Sequence, residues 1–226
     1  MTPLRSTQRP RVLHLAFEDP RAPSSGGGAI RTREVCSRIS DFDTDVVCYS
    51  FPGARARWEG GSRWSHLGWS RSSKCLQLGS YFLGIPGKLL ANRYDLIVED
   101  FAPPWTFAFT PLFTRAPVVA VVQWLFAQEM QDKYGVPVGK IERLGLSCYR
   151  NFIVMAECMK TELSSRVPEA RVCVAGCAVD EALFDAEPAD RGYLLYLGRL
   201  DTHQKGLDLL LDTARKLPDG VRLKIA

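Results

Sequence analysis

Apolar and polar positions follow two rhythms along this chain. Short, mostly apolar runs are followed repeatedly by longer stretches with helical periodicity. Arg11 to Phe17 (RVLHLAF) is the first such run and suits a central parallel strand. A polar loop leads into GGGAIRTREVCSRIS, where Ile30, Val35 and Ile39 fall near one helical face and the glycines stand at its start. DTDVVCYSF supplies the next strand. Strand, glycine-rich loop, helix and strand form a βαβ unit, which predicts an α/β fold built on a doubly wound parallel sheet.

The rhythm continues. Leu76 to Ala91 reads as helical, with an interruption at Gly84 to Gly87. Leu96 to Glu99 is a strand that ends in Glu99-Asp100, and Val118 to Val122 is a fully apolar strand that ends at Gln123. A helical region spans AQEMQDKYGVPVGKIERLGLSCYR, with Glu129 near its start; Phe152 to Met155 and ARVCVAG are strands separated by a helix. Polar EPADRG (187–192) reads as a linker. Beyond it come a strand at Tyr193 to Leu197, a Gly-Arg turn and an amphipathic helix that aligns Leu207, Leu210, Leu211, Ala214 and Leu217.

At 226 residues the chain allows one or two domains. The composition, 46% hydrophobic and 24% charged, is that of a globular protein, and no apolar run reaches the roughly 18 to 20 residues of a membrane span. The apolar run near the start is too short for a signal peptide, so the chain reads as cytoplasmic. The seven cysteines lack a CxxC pair and the three histidines are not near Cys173 and Cys177; buried reduced thiols are expected, without disulfides or zinc. Net charge is +4, with +5 on residues 1–115 and −1 on the rest, too mild for a nucleic-acid binder.

One stretch stands apart. Residues 53–75 carry Arg55, Arg57, Arg63, Arg71 and Lys74 against Glu59 alone, interleaved with Trp58, Trp64 and Trp69. The tryptophan spacing fits neither one helical face nor strand alternation, so a loop with short elements is expected. Cations with tryptophans suit an anionic, partly apolar surface such as lipid headgroups; a solvated loop whose tryptophans pack on the domain suits them equally.

Two features carry chemistry. Gly26, Gly27 and Gly28 are contiguous and lie several residues past the first strand, unlike the G-x-G-x-x-G turn of NAD and FAD sites. In the second, Arg199 and Lys205 flank a loop that ends at Gly206 and opens a helix, an arrangement suited to pyrophosphate. GRLD followed by KGLDLLL resembles the donor-phosphate motif of retaining GT-B glycosyltransferases of the glycosyltransferase 4 family.

That resemblance implies a sugar transferred from a nucleotide-sugar to a hydroxyl acceptor with retention of configuration. By it, Arg199 and Lys205 bind the donor diphosphate, and Gly27 and Gly28 lie close to the donor phosphates; Glu99 and Asp100, at the carboxyl end of a parallel strand, and Glu129, near the start of the helical region, are acceptor-side candidates by position. A histidine that contacts the sugar in many relatives is replaced by Gln123, the catalytic candidate here, which cannot perform the proton transfers of imidazole. The Asn-Gly-Val-Asp turn of the family is Gly176-Cys177-Ala178-Val179-Asp180. No metal or cofactor is expected, since Arg and Lys neutralise the diphosphate.

The resemblance also implies the organisation. After a tail (1–10), residues 11–186 correspond to a Rossmann-like acceptor-side domain, and 193–226 to the beginning of a Rossmann-like donor-side domain, which another chain could supply in full. Lipid-linked acceptors are common in the family, which adds to the prospect of membrane contact through residues 53–75 at the inner face. The alternative from another class is a non-catalytic Rossmann-like module that binds a nucleotide-sugar or a partner.

Overall fold

The computed structural model describes residues 9–23, 25–70, 73–125, 137–185, 187, 189–198, 200–218 and 220–226. The chain forms two compact units that divide between Cys177 and Ala178, so the polar stretch 187–192 lies within the second.

The first unit is built on an eight-stranded sheet. Its strands are β1 (Arg11–Leu15), β2 (Asp43–Tyr49), β3 (Arg57–Glu59), β4 (Ser62–Leu67), β5 (Leu96–Asp100), β6 (Val118–Val122), β7 (Asn151–Val154) and β8 (Arg171–Val174). They lie in the order β3-β4-β2-β1-β5-β6-β7-β8. All neighbours are parallel except β3, which runs antiparallel to β4. This is the expected α/β, Rossmann-like sheet. From β1 the chain builds outward through β2 to the β3–β4 hairpin at the edge, then returns to β5 and builds the other way. The switch point therefore falls between β1 and β5, where open α/β sheets bind their ligands.

Strand alternation gives the two faces separate cores. Val46 and Cys48 join Ala16, Trp64 and Cys36, a residue of α1 (Gly27–Arg38). Val47 and Tyr49 join the larger cluster on the other face, with Leu13, Leu15 and Ile97. That cluster takes in Tyr81, Ile85 and Leu89 of α2 (Lys74–Ala91), Leu146 of α3 (Val138–Cys148) and Leu163 of α4 (Glu157–Arg166).

Several expectations are corrected. In α1 the inward residues are Ala29, Thr32 and Cys36, while Ile30, Val35 and Ile39 are exposed. Small residues spaced three and four apart let the helix approach the sheet closely. α2 runs unbroken through Gly84 to Gly87 with Pro86 inside it. Its inward row of Gln77, Tyr81, Ile85 and Leu89 is continuous on both sides of the proline, so packing holds the helix together there. Residues 57–67, expected as a loop with short elements, form a β-hairpin across the Gly60-Gly61 turn, both glycines with positive φ, and β4 joins the main sheet. All seven cysteines are free; only Cys36 and Cys48 are buried, Cys148 is half-buried and the other four are exposed.

The second unit contains β9 (Tyr193–Tyr196), the one-turn helix α5 (Thr202–Lys205), α6 (Leu207–Ala214) and β10 (Arg222–Ile225). β9 and β10 pair in parallel, completing a βαβ unit. Gly206, at φ 61°, supplies the left-handed residue that separates α5 from α6. No described residue of this unit is buried, and Leu194, Leu195, Leu197, Leu209 and Ile225 are exposed.

Candidate functional site

The loop after β1 is where the site begins. Asp19 is buried within it and accepts two hydrogen bonds from the Arg57 guanidinium (Nη1 to Oδ2 at 2.5 Å, Nη2 to Oδ1 at 3.0 Å). His66 Nε2 approaches Asp19 Oδ2 at 2.9 Å and the Arg21 N–H donates to Oδ1 at 2.8 Å. Burial alone would push Asp19 up; the hydrogen bonds from His66 and Arg57 overcome it and hold the carboxyl well below the usual range. Arg57 also lies over the Trp64 ring at 4.9 Å. The edge hairpin thus clamps the loop that leads to the glycines.

That loop hands over to α1 in a defined way. The Gly26 N–H donates to Glu18 Oε2 at 2.8 Å, and Gly26 caps the helix. A Cβ on Gly27 would meet nothing within 4 Å, so this first helical residue borders open space. A Cβ on Gly28 would lie 3.0 Å from Gln123 Nε2 and 3.1 Å from Oε1. Gly28 and Gln123 were read separately from the sequence; the fold brings them together at the carboxyl end of β6. A helix N-terminus with unpaired N–H groups, bounded by a side-chain amide, is chemically an anion-binding arrangement.

Glu99 and Asp100, adjacent in β5, part company. Alternation sends Glu99 into the larger core, where the Tyr149 hydroxyl donates to Oε2 at 2.5 Å and the Ala108 N–H to Oε1 at 3.0 Å. Burial pushes its pKa up, against the pull of those donors. Glu99 is a brace that ties β5 to the segment between β5 and β6 and to the end of α3 at Tyr149, with its carboxylate turned from the cleft in which an acceptor-side group was expected. Ala108 has a positive φ of 61°, and its N–H is tied down by this carboxylate.

Asp100 turns to the α1 face, where it is buried. Thr32 Oγ1 donates to Oδ2 at 3.4 Å, His14 Nε2 lies 3.3 Å from Oδ1 and Arg31 Nη2 lies 3.7 Å from Oδ1. Cys36 Sγ is 3.8 Å from His14 Nδ1. Burial acts to lower the His14 pKa, but the Asp100 charge and hydrogen bond outweigh it and push it up to about 10. With these neighbours Asp100 is a hub that fastens α1 to β1 and β5, and not an open base.

Arg31 escaped the sequence reading, since a cation on an early helical turn ordinarily reads as solvated. It stands three residues past Gly28, hence on the same side of α1. Its Nε and Nη2 are buried without a hydrogen-bond partner, although Nη2 faces Asp100. Buried donors of this kind are costly unless something accepts from them.

Arg199 and Glu129 lie outside the described residues. Lys205 closes α5 and is exposed, directly ahead of the α6 N-terminus at Gly206. Among the described residues no cluster of His, Cys, Asp and Glu is arranged to hold a metal ion. No helix among them is long and apolar enough to cross a membrane.

The buried His14–Asp100 pair gives a pH signature. A histidine raised in the fold contributes stability that is complete below its ordinary 6.5 and is lost as pH climbs through about 10. Buried Cys48, Tyr81 and Tyr149, all pushed up chiefly by burial, act in the same alkaline direction. The urea midpoint is expected to fall steadily between pH 6.5 and 10, and less steeply in His14→Gln. A midpoint that holds constant across this window would remove the charged pair.

No protein-family model matches the sequence, and no curated protein matches it. Among solved structures the chain is similar to alpha,alpha-trehalose 6-phosphate synthase from Burkholderia multivorans, with a TM-score of 0.59 at 13% identity. The match covers 96% of this chain and 63% of that one, so this chain spans less than two thirds of that protein's length. At that identity the likeness speaks to the fold.

Proposed function

We propose that this chain belongs to a glycosyltransferase that moves a sugar from a nucleotide-sugar to a hydroxyl acceptor with retention of configuration. The observation that carries the reading is the Gly27-Gly28 helix start set against Gln123, with Arg31 behind it, at the carboxyl ends of the strands beside the switch point. The Gly-Arg-Leu…Lys-Gly motif and the fold shared with a synthase of a sugar phosphate support it.

In this reading Arg199 and Lys205 hold the donor diphosphate, whose negative charge grows as the sugar departs. Gly27 and Gly28 offer N–H groups to an anion at the start of α1. Gln123 donates and accepts hydrogen bonds to position a hydroxyl, and no proton passes through it. Asp100, His14 and Thr32 act on the site through α1, and Glu99 through the packing beneath β5. The chemistry requires no metal. The acceptor is a hydroxyl compound, lipid-linked in keeping with a cytoplasmic enzyme that works at the inner face of a membrane.

A second reading is a non-catalytic module that binds a nucleotide-sugar or a partner chain. It is favoured by the second unit, in which no described residue is buried. The two readings separate in one experiment. The chain is supplied with a panel of nucleotide-sugars and hydroxyl acceptors. Nucleoside diphosphate release, with an anomeric configuration by NMR that matches the donor, is expected for the transferase. Inverted product refutes retention, and binding without turnover leaves the module.

A further inference from the structure

The four strands around the switch point each deliver an aromatic side chain at or beyond their carboxyl ends. In sheet order these are Tyr49 on β2, Phe17 after β1, Trp105 in the turn that follows β5, and Trp124 shortly after β6. The first three are linked ring to ring. Phe17 lies 5.1 Å from Tyr49 and 6.3 Å from Trp105 between centroids, tilted in both pairs, so the row crosses from β1 to β5. A tight turn holds Trp105 in place: its backbone N–H donates to the Ala102 carbonyl and the Ala102 N–H donates to Thr106 Oγ1, both at 2.9 Å.

Core packing accounts for only part of this row. Tyr49 is buried, and Phe17 is half-buried against the larger cluster. Trp105 is half-buried and Trp124 is 53% exposed. The Trp105 indole N–H makes no hydrogen bond among the described residues and, unlike that of buried Trp64, is open to solvent. The Gln123 amide, next to Trp124 in sequence and set against Gly28, likewise makes none. Aromatic faces left open beside unpaired donors and acceptors line ligand sites, whereas a core would cover them.

We infer that this row is the platform for a saccharide acceptor, whose pyranose rings lie with their C–H faces on Trp105 and Trp124 while ring hydroxyls meet the Trp105 indole N–H and the Gln123 amide. A sugar presents both kinds of surface at once. Its C–H groups form an apolar, weakly positive patch that suits the negative face of an aromatic ring, and its hydroxyls point outward to hydrogen-bonding groups. A simple aliphatic alcohol would leave the aromatic faces uncovered. A nucleobase would stack as well, but in the reading above the donor nucleotide is held through its diphosphate by Arg199 and Lys205. The inference rests on that glycosyl-transfer reading and narrows its acceptor from any hydroxyl compound to a saccharide.

Saturation-transfer difference NMR of the whole chain with methyl pyranosides of gluco, galacto and manno configuration, and with their disaccharides, tests it. At least one is expected to bind saturably, with transfer strongest to the C–H protons of one ring face. Trp124→Ala is expected to weaken that binding by on the order of tenfold at an unchanged melting temperature, because the side chain is exposed. Trp105→Phe, which keeps a ring and removes the N–H, is expected to weaken it less than Trp105→Ala. Trp58→Ala/Trp69→Ala, which removes exposed tryptophans elsewhere, is expected to bind as wild type does. Absence of saturable pyranoside binding overturns the inference, as does equal binding in wild type and Trp124→Ala. Saturable binding of uridine or adenosine alone also overturns it and makes the row a base-stacking site. Nucleoside diphosphate binding without pyranoside contact removes the platform and leaves the transfer reading. Pyranoside contact on the tryptophans without nucleoside diphosphate binding keeps the platform and removes the transfer reading.

Discussion

Replacing Arg57 with alanine is expected to destabilise the first unit by about 3 kcal/mol, the largest loss from any single charged side chain here. Asp19 is buried and takes the two terminal guanidinium nitrogens of Arg57 in a fork, so the change removes a fixed, desolvated partner from a buried carboxylate. His66 and the Arg21 N–H remain, which places the loss at the low end for a broken buried pair. The cation–π contact with Trp64 is lost as well. Arg57→Lys restores charge without the fork and should recover only part of the stability. The acid limb provides an internal check. A carboxylate depressed in the fold contributes stability that is present above its ordinary 3.8 and is lost as pH falls. Wild type should lose stability on acidification, and Arg57→Ala should lose less. Urea unfolding followed by tryptophan fluorescence measures both, and a loss under roughly 0.5 kcal/mol would mean that the clamp is a surface pair.

The second large effect concerns ligand binding. Arg199→Ala and Lys205→Ala are each expected to weaken a nucleoside diphosphate by about 1.5 to 3 kcal/mol, the usual worth of a hydrogen bond to a charged group. Arg31→Ala tests a different point. If its buried Nε and Nη2 are held for an anion, the variant binds more weakly while the fold loses little stability, since the two donors make no hydrogen bond and Nη2 faces Asp100 only at 3.7 Å. A purely structural arginine would show the reverse, with stability lost and affinity kept. Each variant therefore needs both a titration and an unfolding curve.

How far the sequence could be read depended on which physical signal each element carried. β1, β5 and β6 announced themselves as apolar runs, and the doubly wound sheet followed from their alternation with helical stretches. The Gly60-Gly61 hairpin was legible in principle, as two glycines joining short extended runs, but the interleaved arginines and tryptophans hid it. α1 misled because its large apolar residues face water while Ala29, Thr32 and Cys36 pack. Glu99 and Asp100 were grouped because both end β5, although a period of two requires them to face opposite ways. At the site, the glycines and Gln123 were legible as residues, and their contact was not, because it joins positions far apart in sequence. Arg31, the Asp19 clamp and the His14–Asp100 pair arise from such distant pairings too, and no local pattern signals them.

The claim at the centre of this account is that the chain carries part of a nucleotide-sugar site. Calorimetric titration of the 226-residue chain with a panel of nucleoside diphosphates tests it most directly. Saturable binding of at least one of them, weakened on the order of tenfold or more by Arg199→Ala or Lys205→Ala, is the predicted result. Failure of every nucleoside diphosphate to saturate, or equal affinity in wild type and both variants, would contradict it.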